Sequence, residues 1–223
     1  MAVTGPLSPL HDAPLAPDLP ERLAAHAPRV VVVGDAVLDC WMAGPSRRLS
    51  REAPVPVVEV DRTHSAAGGA ANTAVNLAAM GARVSLVSVV GDDADGVSVR
   101  ELVEAAGVDT SEVRVRVGYR TPAKRRIVAD DALVARFDTV PDPATADPED
   151  DPAVPRAVGR AVAGGVDAVV VCDYASGARG GPVVDALAEL RADSDAVLYA
   201  LTRPAGSEVR EMVVAASQET SWP

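Results

Sequence analysis

Three aspartates follow runs of apolar residues: Asp35 and Asp39 in Gly-Asp-Ala-Val-Leu-Asp (34–39), and Asp173 in Cys-Asp-Tyr (172–174). Carboxylates in such places accept hydrogen bonds from the hydroxyl groups of a small molecule. For any one of them, capping of the next turn or helix is the plainer reading. For three gathered on one rim, a ligand is. A second constellation is Gly68-Gly69 followed by Asn72 in Gly-Gly-Ala-Ala-Asn-Thr-Ala. Adjacent glycines let a backbone approach a ligand closely, and the helix start after them offers N–H groups. An amide such as Asn72 both donates to and accepts from a hydroxyl. A glycine pair alone is also an ordinary tight turn. The third feature is Lys124, the only lysine in a chain with 21 basic residues. It is either a cation kept for an anionic group or a surface residue without a role.

The elements that must hold these residues follow from the hydrophobic pattern. The chain has 223 residues, 48% hydrophobic but only 3% aromatic, so its core is built from Val, Ala and Leu. That length supports one domain with a proper core. Residues 29–35, 83–91 and 166–174 read as buried strands, with a further strand starting at 196. Residues 70–80, 94–107, 153–165 and 180–192 read as helices, the first two closed by Gly81 and Gly107. A short helix precedes the first strand. Strands alternating with helices predict a three-layer α/β fold with a mostly parallel sheet. Ligands of such sheets bind beyond the carboxyl ends of the strands, where the aspartates fall. Residues 55–62, 112–118, 123–129 and 132–138 alternate or carry prolines, and the segments at 55–62 and 112–129 predict a smaller β-element beside that sheet. Residues 1–20 are rich in Pro and Ala and read as a loose arm, and 141–152 as an acidic loop.

The net charge is −11. It argues against a nucleic-acid or anionic-membrane surface, while leaving room for a local basic cluster that takes an anion. The two cysteines, Cys40 and Cys172, have neither a disulfide-scaffold pattern nor metal-ligand spacing, which fits free thiols in a reducing cytoplasm. No apolar run reaches membrane-spanning length.

The spacing Gly-Gly-Ala-Ala-Asn-Thr-Ala, Gly81, Gly91 resembles the first signature of the ribokinase-like (PfkB) carbohydrate kinases. Within that family, Val-Val-Gly-Asp-Ala-Val-Leu-Asp and Arg-Leu-Ser-Arg-Glu-Ala-Pro-Val-Pro-Val-Val (48–58) resemble the kinase domain of bacterial D-glycero-D-manno-heptose 7-phosphate kinases, over residues 29 to 195. The resemblance implies a ribokinase-like sandwich with a small β lid. It implies a loosely attached arm over 1–28, a partial kinase domain over 29–201 with lid strands near 47–62 and 112–129, and a divergent tail over 202–223. Asp35 and Asp39 match positions that hold sugar hydroxyls, and Gly68, Gly69 and Asn72 match a sugar-contacting turn. Lys124 matches a basic substrate contact. Arg136 and Asp138 match a strand at the pocket edge, and Asp173 a position near the phosphates and substrate. Ser176 replaces a lysine usual in the family. The resemblance further implies ATP and Mg²⁺ as cofactors, a sugar phosphate as ligand, a homodimer formed through the lid strands, and ATP-dependent phosphorylation of the anomeric hydroxyl on the way to ADP-heptose.

The late Gly-Ala-Gly-Asp motif, which carries the family's base and anion hole, does not occur in these 223 residues, nor does the earlier Asn-x-x-Glu motif tied to magnesium. The expectation is a chain truncated before the nucleotide-binding half, with most of the ATP site missing and little activity alone. Two readings stand. One is a heptose 7-phosphate kinase domain; the other is a catalytically dead module that binds sugar phosphate or forms oligomers. A nucleotide-binding regulator is weaker, since the chain has neither a P-loop nor Gly-x-Gly-x-x-Gly after a strand.

Overall fold

The run Arg-Val-Val-Val-Val-Gly forms strand β1 (Arg29–Gly34), and its four valines are buried. A strand with no polar side belongs between two covering layers. The computed structural model describes residues 19–142, 153–172, 196–198 and 212–216. Helix α1 (Leu19–His26) precedes β1, and β2 (Ala36–Gly44), β3 (Ser46–Leu49), β4 (Pro56–Val58) and β5 (Arg62–Gly69) follow it. Then come α2 (Ala70–Ala79), β6 (Arg83–Gly91), α3 (Ala94–Ala105), β7 (Val113–Arg116), β8 (Ala123–Ala129) and β9 (Ala132–Thr139). Helix α4 (Ala153–Val162) and strands β10 (Ala168–Cys172), β11 (Ala196–Leu198) and β12 (Met212–Ala216) complete the described elements.

The main sheet has the order β11-β12-β10-β1-β6-β7. Strands β10, β1, β6 and β7 are mutually parallel, while β12 and β11 add antiparallel pairings beyond β10. Both faces of β1 are used. Val30 and Val32 pack with Leu86 and Val90 and with Ala71, Ala74, Val99 and Val103 of α2 and α3. Val31 and Val33 pack with Val87 and Val89 and with Val154, Ala157 and Val158 of α4. Each valine so buried contributes roughly 1.5–3 kcal/mol. The expected α/β fold with a parallel sheet and helices on both faces is present.

The smaller sheet has the order β5-β2-β8-β9, with β2 and β8 parallel and the outer pairs antiparallel. Its make-up differs from the sequence expectation in three ways. Residues 113–116, expected in the small element, instead pair with β6 and extend the main sheet. Conversely, 36–44 and 62–69 are long paired strands of the small sheet, although the sequence reads there as loop and turn. Their Ala, Gly and Ser residues have little intrinsic strand preference, and pairing decides the matter. Residues 56–58, from the segment 55–62 expected in the small element, instead pair as β4 with β3 in a separate hairpin.

The turn from main sheet to small sheet is made within one residue, Asp35, between β1 and β2. Gly34 adopts φ 153°, and a Cβ there would collide with the carbonyl of Cys172, so only glycine fits. Helices α2 and α3 end as expected at Gly81 and Gly107. The Gly81 and Ala82 amides donate to the carbonyls of Ala78 and Leu77, and those of Gly107 and Val108 to Glu104 and Val103.

Residues 1–18 of the arm, most of the acidic loop, the helix expected over 180–192, Asp173, Ser176 and most of the tail lie outside the described residues. No helix among the described residues is long and apolar enough to cross a membrane.

Asp93 caps α3 and ties it to the small sheet. It accepts from the Gly96 amide at 2.8 Å, from the Thr121 amide at 2.9 Å and from the Thr121 hydroxyl at 2.7 Å. Burial alone would raise its pKa, but the bonds from Thr121 and Gly96 together outweigh that and hold it below the usual carboxylate range. A depressed carboxylate adds stability that is fully present above its unfolded pKa, about 3.9, and is lost as pH falls through the folded value. Asp93→Asn, which still caps, should therefore flatten the acid side of a plot of melting temperature against pH below about pH 4. Asp93→Ala should cost about 1 kcal/mol at neutral pH. An unchanged acid limb in Asp93→Asn would remove Asp93 from the acid response.

Candidate functional site

Strands β2, β5, β8 and β9 present alternate side chains to the two faces of the small sheet. Paired residues share a face: Asp39 lies opposite Ala66 and Lys124, Val37 opposite Gly68, and Trp41 opposite His64 and Arg126. Across the next pair, Lys124 lies opposite Asp138 and Arg126 opposite Arg136. One face therefore carries Asp39, Gly68, Lys124, Arg126, Arg136 and Asp138. The other face carries Leu38, Ala123, Arg125 and Thr139. It is joined to α3 by two contacts of Arg125 with the Asp95 carboxylate, at 2.6 and 2.7 Å, while Arg125 Nη1 donates to Thr139 Oγ1 at 3.0 Å.

On the first face, Arg126 Nη1 donates to Asp39 Oδ1 at 2.7 Å, with both side chains about three-quarters buried. The other carboxylate oxygen, Oδ2, lies against Gly68, where an added Cβ would sit 2.5 Å from it. Glycine at 68 is thus what lets the Asp39 carboxylate occupy this place. The Arg126 guanidinium carbon stands 4.7 Å from the centroid of the Trp41 ring, in cation–π range. The Trp41 ring is 5.8 Å from that of His64. Arg136 binds Asp138 through both Nε (2.8 Å) and Nη2 (2.5 Å). The Arg136 hydrogen bond, with the charges of Arg136, Lys124 and Arg126, holds the Asp138 carboxyl below its ordinary range.

Asp35 stands at the corner where this face meets the main sheet, and it is 3% exposed. Its amide donates to the Cys172 carbonyl at 3.2 Å, and its carbonyl accepts from the Ala70 amide at 2.9 Å. Ser88 holds both of its neighbours: the hydroxyl donates to the Gly34 carbonyl at 2.6 Å and accepts from the Ala36 amide at 3.1 Å. Nearby, Tyr119 is buried. Burial first, and then the charge of Asp35, push its phenol up, so it stays protonated at neutral pH. Gly69, with φ 59°, is the N-cap of α2 and offers no side-chain cap. Asn72 is exposed in the first turn of that helix, where backbone N–H groups lack intrahelical partners.

Of the residues expected from the sequence, Asp39, Gly68, Lys124 and Arg136 thus share one sheet face. Asp35, Gly69 and Asn72 cluster where that sheet joins β1 and α2. Asp173 follows Cys172, which pairs with Gly34, but itself lies outside the described residues. Sequence reasoning missed Arg126, Trp41, His64 and Ser88. Arg126 was within reach, because in a strand the residue two beyond Lys124 faces the same way. A cleft of about 580 Å³ opens on the opposite side of the small sheet, lined by Asp93, Asp95, Tyr119, Arg120, Arg125 and Phe137 among others, and none of the expected site residues lines it.

Among the described residues no group of three or more His, Cys, Asp and Glu is arranged to hold a metal ion.

The bifunctional protein HldE of Helicobacter pylori (strain ATCC 700392 / 26695) is 42% identical over 120 residues, 53% of this chain and 26% of that protein. HldE of Magnetococcus marinus is 39% identical over 115 residues, 52% of this chain and 24% of that protein. The matched segment thus spans about a quarter of the length of these curated relatives. The crystal structure of Sa239 is similar at 19% identity with a TM-score of 0.50, over 65% of this chain and 45% of that one, and speaks to the fold alone. The sequence profile of the pfkB family carbohydrate kinases matches residues 27–216, beyond residue 201, where the expected kinase-like part ends. Helices on both faces of a parallel sheet, a small second sheet and a family match over most of the length agree: this chain belongs to the pfkB family of carbohydrate kinases.

Proposed function

We propose that these residues form the sugar-binding side of a kinase for D-glycero-D-manno-heptose 7-phosphate, which phosphorylates the anomeric hydroxyl with ATP and Mg²⁺ on the way to ADP-heptose. The observation that carries this reading is the charged face of the small sheet. It sets a carboxylate able to accept sugar hydroxyls, Asp39, held by Arg126, beside Lys124, which suits a phosphate group. Gly68 and Gly69 admit the sugar, and Asn72 with the start of α2 supplies donors to it. Arg136, paired with Asp138 on β9, lies at the edge of this face, and Asp35 stands at the corner where the face meets the main sheet. The family resemblance gives Asp173, which lies outside the described residues, a role near the phosphates and substrate. In a kinase of this kind the protein acts mainly by positioning and by stabilising charge. The small sheet is the lid. Through it two copies pair, along the edge strand β9, where Leu133, Phe137 and the adjoining Val140 are exposed. No nucleic acid or membrane is a partner, in keeping with the net charge of −11, and the protein acts in the cytoplasm.

A second reading is favoured by one sequence fact: no Gly-Ala-Gly-Asp segment occurs in the 223 residues. On that reading the chain binds the sugar phosphate, or assembles through the lid, without turning it over. ADP release from ATP, Mg²⁺ and heptose 7-phosphate at high concentration of the folded chain separates the two. We expect little or none from these 223 residues alone, with calorimetric binding of the sugar phosphate retained. Sugar-dependent ADP would place the base among these residues. Absence of both binding and turnover would overturn the sugar-side reading.

Two substitutions probe the face itself. Asn72→Ala should weaken sugar-phosphate binding by roughly tenfold, the scale of one or two lost hydrogen bonds, without lowering the melting temperature. Unchanged affinity in a calorimetric titration would remove Asn72 from the site. Lys124→Ala should lower affinity for heptose 7-phosphate by about tenfold and affinity for heptose much less, the scale of one charge-assisted hydrogen bond. Equal losses would argue against a phosphate contact.

A further inference from the structure

Arg126 has two neighbours that fix its place, Asp39 and Trp41. Its guanidinium bonds Asp39 Oδ1 at 2.7 Å and lies 4.7 Å from the centroid of the Trp41 ring, and that ring in turn is 5.8 Å from His64. The arginine is thus anchored on an aromatic surface of its own sheet while it holds one specific oxygen of the carboxylate. The consequence is geometric. With Oδ1 engaged from the β8 side, Oδ2 lies against Gly68 of β5. A carboxylate on a free side chain rotates and presents either oxygen. Here one is tied, and the other lies against the glycine.

We propose that Arg126 is a positioning residue for Asp39: it fixes the carboxylate so that Oδ2 receives a sugar hydroxyl, and the Trp41 ring holds Arg126 in place. The inference rests on the sugar-side reading above. It differs from a direct phosphate contact by Arg126, because a positioning role affects every sugar that uses Asp39, phosphorylated or not. It also differs from a general structural role, because its effect passes through one carboxylate.

The experiment is a double-mutant cycle on the full 223-residue chain, read by calorimetric titration with heptose and with heptose 7-phosphate. Arg126→Gln should lower affinity for both sugars by the same factor, roughly tenfold, with the melting temperature held. Arg126→Lys, which keeps the charge but not the planar fork, should recover part of the loss. In an Asp39→Asn background, Arg126→Gln should cause little further loss, since the group it positions is already altered. Should Arg126→Gln fail to fold, Trp41→Leu removes the anchoring ring and should give the same pattern in weaker form. A loss confined to heptose 7-phosphate would overturn the proposal in favour of a phosphate contact. An undiminished loss in the Asp39→Asn background would overturn it in favour of an effect independent of Asp39. Normal binding by Arg126→Gln, with Asp39→Asn impaired, would overturn it while leaving the sugar-side reading in place. No binding by the unmodified chain would overturn both.

Discussion

The geometry depends on the single residue that joins the two sheets. Asp35 has no room to vary, because each of its backbone polar groups is bound by a different element. Its amide goes to the end of β10 and its carbonyl to the start of α2, while Ser88 of β6 bonds the peptide groups on either side. Buried backbone groups need such partners, and here meeting that need brings three strands and a helix to one point. The glycine before Asp35 lets the strand from β10 approach closely enough to do so. Because β2 starts at the next residue, the orientation of the small sheet is set by this corner, and so is the position of Asp39, four residues beyond Asp35.

A chain of net charge −11 still gathers cations on one face of its small sheet. Lys124, Arg126 and Arg136 lie on neighbouring strands of one face, and two of them are paired with carboxylates of that same face. The pairing moderates the mutual repulsion of the cations, and it leaves a surface of mixed sign rather than a simple anion trap. Such a surface is suited to a ligand that carries both hydroxyls and a phosphate.

Much of the scaffold was readable from the residues. The valine run 30–33 admits little but a strand covered on both sides, and Gly81 and Gly107 mark helix ends because they take positive φ where the helices stop. The small sheet was harder. Its β2 and β5 contain Ala, Gly and Ser, and their strand character comes from pairing rather than from preference. The alternation in 113–116 was visible, but which sheet would claim it depends on contacts with β6 that are remote in sequence. For the site, the glycine pair, Asn72 and Lys124 stood out as types in unusual places. Arg126 did not, because one arginine among many carries no compositional signal; only the register of β8 against β2 reveals its partner. Ser88 was hidden for a similar reason, as a small polar residue inside an apolar run.

Strand β8 sends Lys124 and Arg126 to one face and Arg125 to the other, where Arg125 grips Asp95 at the start of α3. Three consecutive basic residues therefore serve two opposite sides, and only their order in the chain tells them apart. Because side chains alternate strictly along a strand, the gain or loss of one residue between Thr121 and Lys124 would turn the whole segment over. Arg125 would then replace its neighbours beside Asp39, while two cations would be pressed toward the body where one carboxylate waits. The loop before β8 is thus fixed in length as well as at its buried Tyr119 and Thr121, and lineages of this fold should tolerate substitutions at its exposed positions far better than insertions or deletions.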